Sequence, residues 1–223
     1  VATDKMVDSP TNNFCTWNAV VADDAQYQDM SEGNLKTLGN NGSSVGATAS
    51  TFPFTDGKWY AEFFATAAGG SGQAAYPGIG IMAPTSNGSQ VGFVSSGAAY
   101  QANGTKAIDS SETSYGDAMS ASDVIGVAVD AENGAVYFSV NNVWQNSGVP
   151  TSGASKTGAA DTWTGGAEEF VIASATLNSS AVVGWIANFG SDSSFAGNKT
   201  AQGNQDGNGV GDFYYEPPTD FLA

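Results

Sequence analysis

Residues 123–143 read DVIGVAVDAENGAVYFSVNNV. Two apolar runs, 124–130 and 135–140, flank Ala131-Glu132-Asn133-Gly134. Both runs are rich in Val, Ile and aromatic residues and too short for an ordinary helix, so they read as strands. Asn-Gly between two such runs is a strong hairpin signal, because both residues tolerate positive φ. Side chains alternate across a strand, so Ile125, Val127, Val129, Val136 and Phe138 are expected to share a core.

The same reading extends outward. Residues 58–66, KWYAEFFAT, form a strand that adds Trp59 and Phe63 to the core. Further short strands are expected over 79–82, 91–94, 170–175 and 181–189, with an earlier pair over 33–38 and 44–52. No stretch sustains a 3.6-residue apolar period, and 29 Gly with 7 Pro favour frequent turns. The fold class is therefore all-β, a two-sheet antiparallel sandwich with long polar loops. Those loops are 67–78, 97–122, 147–166 and 191–211. The strand runs are evenly spread and no linker divides them, so residues 1–223 are expected to form one domain.

Charge narrows the function. The chain has 22 acidic and 6 basic residues, a net charge of −16, and every base is lysine. No basic footprint can form to displace counterions from nucleic acid. Anionic membranes repel such a surface, and no apolar run approaches the ~20 residues of a spanning helix. The absence of histidine removes Ser-His-Asp and Cys-His catalysis and His-ligated zinc. The single cysteine, Cys15, leaves no intrachain disulfide and reads as a small buried apolar residue. The chain begins at Val1 with no signal-peptide pattern, which reads as a processed product or a piece of something longer.

Three constellations could carry chemistry. Residues 204–212, NQDGNGVGD, place oxygen side chains at Asn204, Asp206, Asn208 and Asp212, with Gly209 at the turn and a backbone carbonyl at Val210. That spacing suits one calcium ion, the cofactor expected here, with a solvated Gly/Asn loop as the alternative. Tyr215 stands where a calcium loop usually closes with a bidentate Glu. Second, Tyr76, Tyr100, Tyr115, Trp144 and Trp163 lie in or beside polar loops. They either stack on a ligand or cap the open ends of the sandwich. Third, a glycosidase of this class needs two carboxylates facing across a cleft. Glu168-Glu169 and Asp23-Asp24 are adjacent pairs that point to opposite faces, and Glu62 and Asp130 read as structural, so no enzyme is expected.

Several blocks resemble the SPRY (B30.2-like) family. The stretch Asp56–Phe63 is similar to its GKWYWEV strand, 123–143 to its D-x-I-G-V-x-x-D…F-x-x-N-G hairpin, and Ala187–Gly190 to its late N-F-G. Asn142-Val143 replaces the usual Asn-Gly, which predicts a bulged or longer turn. The opening Asp8–Phe14 and the closing Phe213–Ala223 resemble those of SPRY-like proteins of tailed, particularly marine, bacteriophages. The resemblance implies a concanavalin-like jelly roll on a virion surface, oligomeric there. It implies adhesion to a host glycan or protein in the manner of a tail fibre. The alternatives are a capsid or tail decoration protein, or a secreted lectin-like carbohydrate-binding protein.

Overall fold

The computed structural model describes residues 13–20, 28–39, 45–67, 77–86, 91–178 and 182–223. The strands form two antiparallel layers. The first runs, in spatial order, β1 (Gln28–Ser31), β2 (Lys36–Gly39), β14 (Val182–Asn188), β4 (Lys58–Ala65), β9 (Val124–Asp130) and β10 (Ala135–Val140). The short β11 (Val143–Trp144) and β12 (Asp161–Thr162) both pair with β10. The second layer runs β3 (Val45–Phe54), β13 (Phe170–Asn178), β5 (Gly78–Met82), β6 (Gly97–Gln101), β7 (Thr105–Ile108) and β8 (Ser111–Ser114). The β13–β14 hairpin, pairing Leu177 with Val183, ties the two sheets together.

Alternation places the core where the sequence puts it. Phe63, Ile125, Val127, Val129, Val136 and Phe138 are fully buried between the sheets, joined by Ile79, Ile81, Tyr100, Ile172 and Trp185. Trp59 differs. It is half-buried and stands at the rim, because β4 runs out of the sandwich at its N-terminal end. Trp17 is also core: its indole N–H donates to the Leu35 carbonyl at 3.0 Å, and its ring meets Phe63 and Phe189.

Turn chemistry departs from expectation in two places. The β9–β10 connection is a four-residue turn closed by the Gly134 N–H on the Asp130 carbonyl, and only Gly134 has positive φ. The next turn is tight rather than bulged. Asn141 and Asn142 both adopt positive φ, 48° and 66°, and Val140 pairs directly with Val143, so the two-residue loop is Asn141-Asn142, one position before the expected Asn142-Val143 and where F-x-x-N-G falls counting from Phe138.

The expected loop 97–122 contains three strands, β6, β7 and β8. The expected strand 91–94 is a turn whose Val91 drops onto the outer face of the second sheet beside Ala49, Met82 and Val171. The loop 68–76, Ser44, Ala181 and the opening Asp8–Asn12 lie outside the described residues.

The outer face of the first sheet is covered as well. Residues 190–223 contain no named strand, yet they lay Phe195, Phe213 and Phe221 onto Tyr60, Phe64, Val124, Tyr137 and Ile186. This C-terminal arm makes a third layer. Among the described residues no helix is long and apolar enough to cross a membrane.

Candidate functional site

The aromatics expected to bind ligand are mostly used inside the fold. Tyr100 is completely buried, stacks on Phe138 at 5.7 Å, and donates its hydroxyl to the Asp117 carbonyl. Burial pushes that hydroxyl's pKa well up. Tyr115 packs edge-on against Tyr100 and Phe138, with the Lys106 ammonium 5.6 Å above its ring. Trp163 lies 4.8 Å from the Phe170 ring, and Trp144 packs beside the Tyr60–Tyr137 cluster. Tyr100, Tyr115 and Trp163 pack on the core between the sheets and Trp144 on the outer-face cluster, so the four form no single surface. Loop residues next to strand ends are the ones that must close a sandwich against water. Tyr76 lies outside the described residues.

The residues read as a calcium loop are hydrogen-bonded within the chain. Asp206 is buried, and its Oδ1 accepts the Asn208 and Val210 N–H groups, both at 2.9 Å, while Oδ2 accepts the Ala223 N–H at 3.1 Å. The Val210 carbonyl accepts the Asp206 N–H. Asn204 donates Nδ2 to the Tyr214 carbonyl at 2.9 Å, and Asp212 Oδ1 accepts the Ser193 hydroxyl at 2.5 Å. Within the expected ligand set the Asp206 carboxylate thus faces backbone donors and Asp212 Oδ1 a hydroxyl, while Asn208 is exposed. Among the described residues, no three Asp, Glu or Cys side chains cluster closely enough to hold a metal ion.

Glu62 is the most unusual titratable group. It lies on the outer face of β4 and is completely buried. Its Oε1 accepts Tyr60 Oη at 3.1 Å and the Tyr215 N–H at 2.7 Å. Its Oε2 accepts the Tyr214 N–H at 2.7 Å and Asn188 Nδ2 at 3.2 Å. Four donors surround one carboxylate. Desolvation still dominates and pushes its pKa up to about 7, against the lowering effect of those hydrogen bonds. The site holds the arm onto the sheet and has no open face for a substrate.

An accessible cleft lies elsewhere, where both ends of the described chain meet the rim. Residues 16–18 run beside β3, with Thr51 N–H on the Thr16 carbonyl and Asn18 N–H on the Ala49 carbonyl, both at 2.8 Å. Leu222 docks along β4, accepting the Tyr60 N–H and donating to the Lys58 carbonyl. Between them opens a cleft of about 280 Å³ lined by Asn13, Phe14, Cys15, Thr51, Phe52, Trp59 and Ala223. A small adjoining apolar hollow of about 40 Å³ reaches Phe54, Ile172 and Phe189. Phe52 remains 49% exposed and meets Trp59 edge-on at 5.1 Å.

Two glycines make this geometry possible. Gly57, at φ +84°, lies against the indole, where a Cβ would come within 3.2 Å of Trp59 Nε1. Gly190, at φ +107°, lets Phe14 and Ala223 close together, since a Cβ would reach Phe14 at 2.8 Å.

Most polar side chains of the walls are engaged within the chain, the exposed Asn13 at the mouth excepted. Trp59 Nε1 donates to the Asp56 carbonyl at 2.8 Å. Ser50 Oγ donates to the Phe52 carbonyl and accepts the Ile172 N–H. Thr51 Oγ1 accepts the Thr16 N–H and lies 3.4 Å from Cys15 Sγ. Cys15 and Trp59 were read from sequence as plain core. Their place in a cleft follows from Phe52 and from the two chain ends, a contact of residues up to 208 positions apart that no local pattern announces.

Comparison with known proteins agrees with the architecture. The SPRY domain family model matches residues 79–159, from β5 to the loop beyond β11. The crystal structure of the SPRY domain of human HERC1 superposes with a TM-score of 0.59 at 13% identity, covering 77% of this chain and 96% of that one. A second human SPRY domain gives a TM-score of 0.52 at 15% identity, covering 73% and 94%. At these identities the likeness is one of fold. No curated protein sequence matches. The cleft residues all fall outside the matched stretch.

Proposed function

We propose that the chain is a non-enzymatic binding module on the surface of a tailed-phage particle, adhering to a host surface polysaccharide or protein. The observation that carries the binding part is the cleft at Phe52 and Trp59, an open concavity of mixed polarity with a half-exposed aromatic wall and an apolar hollow behind it. SPRY-type domains generally act by binding rather than catalysis, which supports the non-enzymatic part, although fold alone does not fix function. The phage setting rests on the resemblance of the opening and closing segments.

The test is binding of the isolated protein to whole susceptible cells, with Phe52→Ala as the control variant. Its side chain is half exposed, so the fold tolerates truncation. Saturable binding weakened by Phe52→Ala supports the reading, and failure to bind any susceptible cell at micromolar protein removes it.

A decoration role is the second reading, and β8 favours it. All four residues of this edge strand are exposed, and its outer side has no pairing among the described residues. Neighbouring virion subunits could pack there. Copy number per particle separates the two: a few trimers' worth indicates a tail adhesin, hundreds indicate decoration.

A further inference from the structure

We infer that the Phe52–Trp59 cleft takes one large apolar side chain of a partner protein, flanked by lysine or arginine, and not a sugar. The inference rests on the binding-module reading and names the partner's chemistry at the same site.

A saccharide presents hydroxyls, and a site that recognises one supplies hydrogen-bond partners aimed at it. Apart from the exposed Asn13 amide at the mouth, the named wall donors and acceptors already face the chain itself. The indole N–H of Trp59 is held by Asp56, the Ser50 hydroxyl by Phe52 and Ile172, and the Thr51 hydroxyl by Thr16. The inner hollow is closed by Phe54, Ile172 and Phe189. A sugar placed there would give up water and find no replacement, which is costly for each hydroxyl left unpaired. An aromatic or aliphatic side chain gives up only apolar hydration and gains contact with Phe52 and Trp59.

Charge sets what surrounds that side chain. No charged side chain lines the cleft, while the molecule around it carries −16. Asp56 is exposed beside the indole it holds. The nearest base along the strand, Lys58, has its ammonium 3.9 Å from Glu132. Within the described residues this is the one lysine–carboxylate pair inside 4 Å, so most acids stay without a cation from the chain. An apolar anchor beside basic residues complements both features. A second copy of this chain, equally acidic, does not. Addition of a strand alongside Phe52 is also disfavoured, because Pro53 has no N–H to donate.

The experiment follows amide shifts of the ¹⁵N-labelled full chain at Thr16, Thr51, Tyr60 and Leu222. The probes are acetyl-Lys-Trp-Lys-amide, acetyl-Lys-Ser-Lys-amide and methyl α-glucoside at millimolar concentration. The Trp peptide is expected to shift these amides saturably and the other two to leave them unmoved. Phe52→Ala should weaken the Trp peptide about tenfold, and Phe52→Leu should restore part of the affinity. Raising salt should weaken it further by screening the flanking lysines.

Equal shifts with the Ser peptide or the glucoside, or none with the Trp peptide, overturn the inference. If the protein still binds cells through Phe52 in that case, the module reading stands and only the partner chemistry is wrong. If cell binding is absent too, both fall.

Discussion

The β9–β10 hairpin and the C-terminal arm bury comparable aromatic residues, yet they are held by different means. In the hairpin every residue from 124 to 131 and from 134 to 140 is buried, and the backbone is satisfied by its ladder with β4 on one side and by β9–β10 pairing itself. The arm has no ladder. Beside isolated backbone turns and bridges, many of its N–H groups are accepted by side chains: Asp192 takes those of Ser194 and Ala196, Asn188 those of Gly190 and Asp192, Asp206 those of Asn208 and Val210, and Glu62 those of Tyr214 and Tyr215. Backbone polar groups must be paired wherever water is excluded. Pattern supplies the pairing in one region, individual carboxylates and amides in the other.

The difference can be broken from either side. Phe138→Ala opens a cavity between Tyr100, Tyr115 and β9 and is expected to cost about 3–5 kcal/mol in urea unfolding of the whole protein. A loss confined to the hairpin would contradict its place in the core. Glu62→Ala leaves four donors without an acceptor, offset in part because a buried charge is removed. We expect a cost of roughly 2–4 kcal/mol, and faster hydrogen exchange across 190–223 with 124–140 unchanged. Uniform acceleration would show the arm is not a separable unit.

Glu62 also predicts pH dependence. Its folded pKa, about 7, lies above its ordinary value of 4.5, so the folded protein holds the proton more tightly. That contribution to stability is fully present below pH 4.5 and is lost as pH rises through about 7. Thermal melts from pH 4 to 8 should show this slope, and Glu62→Gln should flatten it. Asp206→Ala should cost about 1–2 kcal/mol by releasing the 206–210 turn and Ala223. EDTA should leave the melt of the parent protein unchanged. An EDTA-sensitive melt, abolished by Asp206→Ala, would support the calcium reading. Smallest is Asn142→Gly, which relaxes a positive φ and should shift stability by under about 1 kcal/mol, visible in the melting temperature.

What the sequence made legible follows the same division. Residues 58–65, 124–130 and 135–140 declare strands because alternation, β-branched residues and turn signals agree. The strands β6 and β7 escaped because Ala98, Ala99 and Ala107 fill a narrow interior without raising hydrophobicity, although Asn103-Gly104 between them was a hairpin signal in plain view. The arm reads as a solvated Gly/Asn loop because its hydrogen bonds join residues far apart, such as Glu62 with Tyr215. Carboxylates spaced to wrap a cation are equally spaced to wrap a run of backbone N–H groups. Aromatics beside loops suggest a ligand surface, and only packing shows that Tyr100 is filled in from both sides while Phe52 is left bare.

The lysines have a consequence for survival outside a cell. A protease that cuts after basic residues has six places to try in this chain. Lys36, Lys58 and Lys106 lie in strands, Lys156 is tied by its ammonium to the Trp163 carbonyl, and Lys199 lies over the Tyr214 and Phe64 rings. Cleavage needs an extended, free backbone around the basic residue. Trypsin-like enzymes would therefore have to wait for local opening at each of these five sites, so the scarcity and placement of lysine shield the fold from digestion.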